Sequence, residues 1–159
     1  MTNNSSLSPA PEFSLTDLDG NPLEYCSLRE RPILLNFFTS TCPWCQVEMP
    51  KLAEVYERHE KVYVTIIGIA VGGDTDETAR AFAESKMLKF PIATSADLSR
   101  AFGLERVPAV VLINGEGDVA RIYQGSSEQL SGIVEQTLMA AAEDGELPDF
   151  DFVGNGCAA

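Results

Sequence analysis

Residues 37–50 read FFTSTCPWCQVEMP, and this stretch decides how the rest of the chain is interpreted. It holds two cysteines, Cys42 and Cys45, separated by two residues and preceded by an apolar run. Such a pair can bind a metal, close a structural disulfide, or exchange a disulfide with other thiols. The remaining residues distinguish between these three uses.

The metal and structural uses are disfavoured. A structural zinc site needs four ligands. The chain has one histidine, His59, and two further cysteines, Cys26 and Cys157, with no second CxxC and no HxxxH motif. A disulfide within CxxC closes so small a loop that it removes little entropy from the unfolded chain. We therefore predict no metal site and no purely structural disulfide.

The surrounding residues predict a strand that leads into a helix. PILLNFF, residues 32–38, is a continuous apolar run typical of a strand covered on both faces. From Pro43 to about Glu60 the apolar residues recur with helical spacing. The apolar face comprises Cys45, Met49, Leu52 and Tyr56. Cys42 is therefore expected where this helix begins.

A helix N-terminus favours redox chemistry at Cys42. Its unpaired backbone N–H groups and partial positive charge stabilise a thiolate. Pro43 suits the first turn, where its missing N–H costs no hydrogen bond. We predict that Cys42 attacks and that Cys45, which faces inward, resolves the mixed disulfide, so that a Cys42–Cys45 disulfide is the only redox cofactor. Trp44 is predicted to anchor the helix, to offer a flat apolar surface to a protein substrate, or to do both, and Pro43 is predicted to contact the substrate as well.

Strands and helices alternate along the rest of the chain, which predicts an α/β domain with a central sheet. FSLTDLDGNPLEY predicts a hairpin near the start, and Ser127 is predicted to cap a last helix that ends near Glu143. The elements between them are predicted as a strand at 62–71, a helix from 75 or 76 to about 88, an extended piece at 90–94, a short helix at 96–102, and antiparallel strands at 107–114 and 119–125.

Three parts are predicted along the 159 residues. They are a flexible arm at 1–12, the α/β domain at 13–143, and an acidic, glycine-rich tail at 144–159. Phe150 and Phe152 are predicted to pack the tail locally. Cys157 is predicted either to be free or to pair with Cys26 if the tail folds back, and Cys26 is otherwise predicted to be a buried, unreactive thiol.

Charge and hydropathy exclude some classes of partner. The formal net charge of −13 repels phosphate backbones, so we predict no nucleic-acid binding. No run approaches the roughly 20 apolar residues of a membrane span, and residues 1–13 contain no apolar signal-peptide core. Two interpretations stay open: a cytoplasmic protein, or a chain from which a signal or membrane anchor was removed.

The active-site segment and the residues downstream resemble thioredoxin-fold oxidoreductases, in particular the TlpA/ResA/CcmG-like thiol–disulfide oxidoreductases. The family pattern is an apolar strand with Asn, followed by WCxxCxxExP. The matching residues are Asn36, Cys42, Cys45, Glu48 and Pro50. Thr41 departs from the pattern, since it stands where the family usually has Trp. The resemblance covers about residues 11–142 and implies a thioredoxin-like fold: a central mixed sheet flanked by helices, the inserted helix and strand of the TlpA/ResA type, and an N-terminal hairpin.

The resemblance also implies two supporting roles near the cysteines. A cis peptide bond is expected before Pro108, which then packs against the cysteine pair. The exposed backbone of Val107 is expected to bind an extended substrate by strand addition. The strand position that holds a buried Asp in plain thioredoxins is Asn36 here, which cannot accept a proton, so Glu48 is predicted to take the proton of Cys45 if it is partly buried.

The direction of electron flow follows from the residues between the cysteines. Pro43 and Trp44 add no positive charge beside Cys42, so the highly stabilised thiolate of a strong oxidant is not expected. We predict a reductant of protein disulfides, in keeping with the family's frequent role in reducing apocytochrome or other extracytoplasmic disulfides. An upstream electron-donor thiol protein is its expected second partner, and a membrane is involved only if an anchor was removed.

Two alternative functions stay open from the sequence. A peroxiredoxin-like thiol peroxidase would use Cys42 on peroxide, but its usual Pro-x-x-x-Thr-x-x-Cys pattern is matched only at Thr39, since Leu35 replaces the proline. A non-enzymatic copper or thiol-binding module of this fold tends to use CxxxC and a distant histidine. This chain has CxxC, and His59 lies outside the expected region.

Overall fold

The apolar run before the cysteine pair forms the central strand of the sheet, Ile33–Phe38, and every residue in it is buried. This computed structural model describes residues 7–143, 145–148 and 154–159. Its elements in chain order are β1 (Ser8–Pro9), β2 (Ser14–Thr16), β3 (Pro22–Glu24), α1 (Tyr25–Leu28), β4 (Ile33–Phe38), α2 (Pro43–Arg58), β5 (Thr65–Ala70), α3 (Asp76–Ser85), β6 (Ile92–Thr94), α4 (Leu98–Ala101), β7 (Arg106–Val107), β8 (Ala109–Ile113), β9 (Asp118–Gln124), α5 (Leu130–Ala142) and β10 (Cys157–Ala158).

Among the described residues, the main sheet contains six strands in the order β1-β9-β8-β4-β5-β6. Strand β4 pairs in parallel with β5 and antiparallel with β8. Beyond them, β6 is parallel to β5 and β9 is antiparallel to β8. Because β4 is flanked by strands and covered on both faces, all of its residues except Asn36 are apolar. The predicted α/β class with a central mixed sheet and flanking helices is confirmed.

Helix α2 carries the cysteine motif at its beginning. Cys42 is the N-cap residue, with extended backbone (φ −83°, ψ 118°), and Pro43 is the first residue of the helix. The whole predicted apolar face is buried, and Glu48 is buried with it. The helix ends at Arg58, two residues before the predicted end, and His59 is its C-cap.

The predicted strand at 107–114 is wrong in one respect, because it is two strands. Pro108 separates β7 from β8, and the Val107–Pro108 peptide bond is cis. A proline has no N–H for a ladder hydrogen bond, so the pairing changes partner at this residue. The cis bond that the resemblance implied is confirmed.

Both ends of the domain differ from the sequence-based expectation. Ser8–Pro9 of the predicted flexible arm pairs with β9, and Ala10 is buried. The predicted hairpin is present as β2 and β3.

Ser127 does not cap α5: the N-cap is Gln129, whose backbone N–H donates to Ser127 Oγ at 3.1 Å. The inserted helix α3 is capped by Thr75, as one of the two predicted options, but ends at Ser85 rather than near residue 88.

Two further expectations concern the cysteines and the tail. Cys26 is an exposed free thiol on α1, so the prediction that it is buried is wrong. Helix α1 buries Tyr25 and turns the next side chain to solvent. The predicted packing of Phe150 and Phe152 lies outside the described residues. Within the described ranges, no helix is both long and apolar enough to span a membrane.

Candidate active site

Cys42 and Cys45 lie where β4 leads into α2, and both side chains are buried, with exposed fractions of 2% and 0%. The disulfide in this structure joins Cys42 to Cys157, with 5.9 Å between their Cα atoms, and Cys45 is a free thiol. The predictions that Cys157 is free or pairs with Cys26 are therefore wrong. The structure does not contain the expected Cys42–Cys45 disulfide, and exchange between these two residues stays a prediction.

Strand pairing is the reason that Cys157 reaches Cys42. Strand β10 pairs antiparallel with β7, so that Cys157 lies opposite Val107 and Ala158 lies opposite Arg106. Arg106 Nη1 also donates to the carbonyl oxygen of Gly154 at 3.1 Å. The tail therefore occupies the backbone edge that the sequence assigned to an incoming substrate.

The cis proline places this edge beside the reactive sulfur. Val107 and Pro108 are both buried, and Cys42 Sγ lies 3.8 Å from the carbonyl oxygen of Val107. Because Cys42 Sγ is in a disulfide and carries no proton, this distance is a packing contact rather than a hydrogen bond. Cys42, Val107 and Pro108 are therefore close together, while the catalytic roles of Cys42 and Pro108 and the substrate-binding role of Val107 stay predictions.

The buried environment of Cys45 keeps its thiol protonated. The pKa of Cys45 is raised to about 12, chiefly by burial, since a thiolate loses its hydration there, and to a smaller extent by the nearby Asp74 carboxylate. A hydrogen bond with the Thr39 backbone lowers the pKa, and its effect is smaller than that of burial but larger than that of Asp74. Cys45 therefore needs a proton acceptor, or a local opening, before it can attack Cys42.

We expect Cys45 to show no titration step below about pH 10 in the native protein, because burial disfavours its thiolate. The measurement is the pH dependence of the Cys45 ¹³Cβ chemical shift in Cys26→Ser, where Cys45 is the remaining free thiol. The same protein in urea is the control and should titrate near the ordinary value of about 8.5. A native midpoint below about pH 9 would contradict the burial argument.

Asp74 is an active-site neighbour that the sequence analysis missed. Its Oδ2 accepts from the backbone N–H of Ser40 at 2.8 Å, and the Ser40 hydroxyl donates to Oδ1. Thr78 Oγ1 donates to the same Oδ1 at 2.7 Å. Asp74 thus ties the loop before Cys42 to the start of α3. An Asp beside a helix cap is common, so its contact with a loop 34 residues earlier left no local signal.

Glu48 lies one turn after Cys45 and is completely buried. Its Oε1 accepts a hydrogen bond from Ser126 Oγ at 2.7 Å, and Oε2 has no hydrogen-bond partner among the residues that the structure describes. A buried carboxylate oxygen without a partner is costly and suits a group that exchanges protons. The burial on which its predicted role depends is therefore present. Ser126 follows β9, and nothing in the local sequence pointed to its contact with Glu48.

Asn36 is part of a closed network beneath the site. Its Oδ1 accepts from the Tyr56 hydroxyl, and its Nδ2 donates to the carbonyl oxygen of Ile67 at 3.3 Å. Burial raises the pKa of Tyr56, so its hydroxyl stays a donor at neutral pH. Asn36 therefore orders the core below the cysteines and leaves proton transfer to other groups.

Trp44 and Pro43 face outward at the start of α2. Trp44 is 41% exposed, and Val47, one turn further on the helix, is exposed as well. They border a groove of about 560 Å³ beside the cysteines. Its lining residues are Trp44, Val47, Lys51, Arg106, Ser126, Ser127, Glu128, Gly154 and Asn155. Of the two predicted roles of Trp44, this position favours a surface for a protein substrate.

Known proteins that resemble this chain in sequence include members of a redox family. Residues 6–137 match the model of the family described as Redoxin. The thiol–disulfide oxidoreductase ResA of Halalkalibacterium halodurans is 31% identical over 124 residues, which cover 76% of this chain and 70% of that protein. The residues that match the Redoxin model, 6–137, include all strands of the main sheet, the cysteine motif and the cis proline.

Two solved structures share the fold and moderate sequence identity. The thiol:disulfide interchange protein of the thioredoxin family from Chlorobium tepidum has a TM-score of 0.73 and 25% identity, covering 86% of this chain and 97% of that one. A secreted Mycobacterium tuberculosis disulfide oxidoreductase has a TM-score of 0.63 and 28% identity, covering 76% and 92%. The chain therefore belongs to the Redoxin family and is a thioredoxin-like thiol–disulfide oxidoreductase of the TlpA/ResA/CcmG-like group.

Proposed function

We propose that this enzyme reduces disulfides in other proteins, with Cys42 as the nucleophile and Cys45 as the resolving thiol. The supporting observation is the position of Cys42 at the N-cap of α2, with Cys45 buried one turn inside the helix and the cis Val107–Pro108 bond beside them. A sulfur at a helix N-terminus is a stabilised thiolate and a good leaving group.

The reaction takes two exchange steps. The Cys42 thiolate attacks one sulfur of the substrate disulfide: a Cys42–substrate bond forms, the substrate disulfide breaks, and the departing thiolate takes a proton. Cys45 then loses its proton and attacks Cys42 Sγ, which releases the second substrate thiol. The substrate gains two electrons and two protons, and the pair becomes a Cys42–Cys45 disulfide that an upstream dithiol protein reduces.

The surface around Cys42 suits a protein substrate. Trp44 and Val47 supply exposed apolar area, and Lys51 and Arg106 supply positive charge in the same groove. The backbone of Val107 is able to pair with an extended strand, as its pairing with β10 demonstrates. A substrate segment that adds to β7 would bring its cysteine to Cys42.

The direction of electron flow and the cellular location of the enzyme are part of the same proposal. No cationic side chain lies between the two cysteines in the sequence, so the Cys42 thiolate lacks the extra stabilisation that makes a strong oxidant. Similarity to a disulfide oxidoreductase described as secreted supports action outside the cytoplasm. A reduction potential near that of the strongly oxidising DsbA, about −120 mV, would contradict the reductant role.

The test of the two-step mechanism is a covalent trap. We expect Cys45→Ser, combined with Cys157→Ser because Cys157 is bonded to Cys42 in this structure, to accumulate a mixed disulfide with oxidised insulin. Mass spectrometry of acid-quenched samples measures it, and dithiothreitol should release it.

The matched control carries Cys42→Ser with Cys157→Ser, which keeps Cys45 as the only thiol of the motif. Equal adduct in both variants, or adduct mapped to Cys26, would contradict the assignment of Cys42 as the nucleophile. An adduct confined to the first variant supports it.

A further inference from the structure

We propose that Cys157 is a third redox-active cysteine of this enzyme, carried on a tail segment, residues 154–159, that docks as an internal substrate strand. The inference deepens the proposed function and rests on it. The Cys42–Cys157 disulfide is then an internal mixed disulfide, which Cys45 resolves as it would resolve one with another protein.

The docking of the tail segment is built from backbone hydrogen bonds on both sides of the cysteine. Before Cys157, the N–H of Gly154 donates to the Gln124 oxygen at 2.7 Å, and the N–H of Ser126 donates to the Asn155 oxygen at 2.6 Å. After it, the N–H of Ala159 donates to the Glu105 oxygen at 3.2 Å. These bonds fix the register in which Cys157 lies opposite Val107.

The fit of the tail segment also depends on a residue without a side chain. A Cβ atom at Gly156 would lie 2.6 Å from the carbonyl oxygen of Val107 and 3.2 Å from Arg106 Cβ. The first distance is shorter than real Cβ atoms allow, so the strand lies this close only because residue 156 is glycine. The docking is therefore specific to this short sequence.

The exchange that links the two disulfides is balanced within the chain. Cys45 loses a proton and its sulfur attacks Cys42 Sγ: the Cys45–Cys42 bond forms, the Cys42–Cys157 bond breaks, and Cys157 leaves as a thiolate that takes up a proton. No external oxidant or reductant is consumed. The first oxidation comes from the disulfide that the enzyme reduces.

Docking of the tail segment determines what the active site is able to bind. While Cys157 is bonded, Cys42 is 2% exposed and the edge of β7 is already paired. An external strand therefore cannot add at Val107 until Cys45 has displaced Cys157 and the tail segment has left β7. Cys42 then attacks a substrate only after the upstream dithiol protein has reduced the Cys42–Cys45 disulfide. Because Cys157 is part of the same chain, its effective concentration near Cys42 is high, in the range of about millimolar. The Cys42–Cys157 disulfide therefore forms again after each turnover.

The experiment maps disulfides in the full chain. Cys26→Ser, with Cys42, Cys45 and Cys157 intact, is reduced, oxidised with one equivalent of oxidised glutathione, quenched in acid, alkylated and analysed by peptide mass spectrometry. We expect Cys42–Cys157 and Cys42–Cys45 molecules, and conversion of the first into the second as the pH rises. Adding Cys45→Ser should leave Cys42–Cys157 and abolish the conversion.

A glycine variant separates strand docking from simple proximity. Gly156→Val keeps every thiol, and because overpacking displaces the strand we expect the ratio of Cys42–Cys157 to Cys42–Cys45 molecules to fall about tenfold or more. Gly73→Val is the matched control, since a Cβ there meets nothing within 4 Å. It should leave the ratio unchanged.

Two outcomes would overturn the inference. One is a map of the Cys26→Ser protein in which Cys157 is alkylated in every one-disulfide molecule; the other is an unchanged ratio in Gly156→Val. Either result with insulin reduction intact contradicts the role of Cys157 alone. If Cys42→Ser reduces insulin at the same rate as the enzyme with Cys42, the proposed function is contradicted, regardless of which disulfides are mapped.

Discussion

Cys42→Ser is expected to lower the rate of insulin-disulfide reduction by about 1,000-fold or more, to the background of the donor thiol. Serine is not ionised at neutral pH and its oxygen does not exchange with a disulfide, so the first step of the reaction is lost. The measurement is insulin reduction with dithiothreitol as electron donor, followed by turbidity.

The control for this loss is Cys26→Ser. Cys26 is an exposed free thiol on α1, outside the cysteine motif, so its removal should leave the rate of insulin reduction unchanged. Substantial activity in Cys42→Ser together with loss in Cys26→Ser would move the nucleophile to α1 and contradict the proposed mechanism.

Glu48→Gln is expected to slow the resolving step by about 100-fold, the lower end of the range for general base catalysis. The residue is fully buried one turn after Cys45, and Cys45 needs an acceptor because burial raises its pKa to about 12. Glutamine keeps the volume and an oxygen for the Ser126 hydroxyl, but it cannot take a proton. The measurement is the single-turnover rate at which the enzyme–insulin mixed disulfide disappears.

The pH profile distinguishes proton transfer from a structural role. Without the carboxylate, resolution should depend on the small fraction of Cys45 thiolate and rise about tenfold per pH unit between pH 7 and 9. Glu54→Gln is the matched control, because Glu54 is an exposed residue of the same helix. An unchanged profile in Glu48→Gln would remove this residue from the mechanism.

The parts of the fold that follow local rules were predictable from the sequence. The continuous apolar run gave β4, and the helical spacing after Pro43 gave α2 with its buried face. The burial of Glu48 was only a condition of its predicted role, because a glutamate next to an apolar helix face is often solvated, and the structure meets that condition. The strand and the helix each depend on residues close together in the chain, where periodicity and capping act directly.

The parts that depend on distant contacts were not predictable. Ser126 meets Glu48 across 78 residues of sequence, and Cys157 meets Cys42 across 115. Contacts of this kind, a hydrogen bond and a disulfide, are set by the arrangement of elements in space. A short polar tail has no periodic pattern from which its partner could be predicted. The exposure of Cys26 was missed because a four-residue helix is too short to show which face it buries.

The close approach of residue 156 to the carbonyl of Val107 has a consequence for selectivity among foreign proteins. A polypeptide that adds to β7 in the register of the tail segment has room only for glycine immediately ahead of its reactive cysteine, and a polypeptide with a larger residue there has to bind farther from the carbonyl of Val107. Peptides containing Gly-Cys would then be reduced in preference to those containing Ala-Cys or Val-Cys. The enzyme would recognise a dipeptide through the lack of space for a single methyl group.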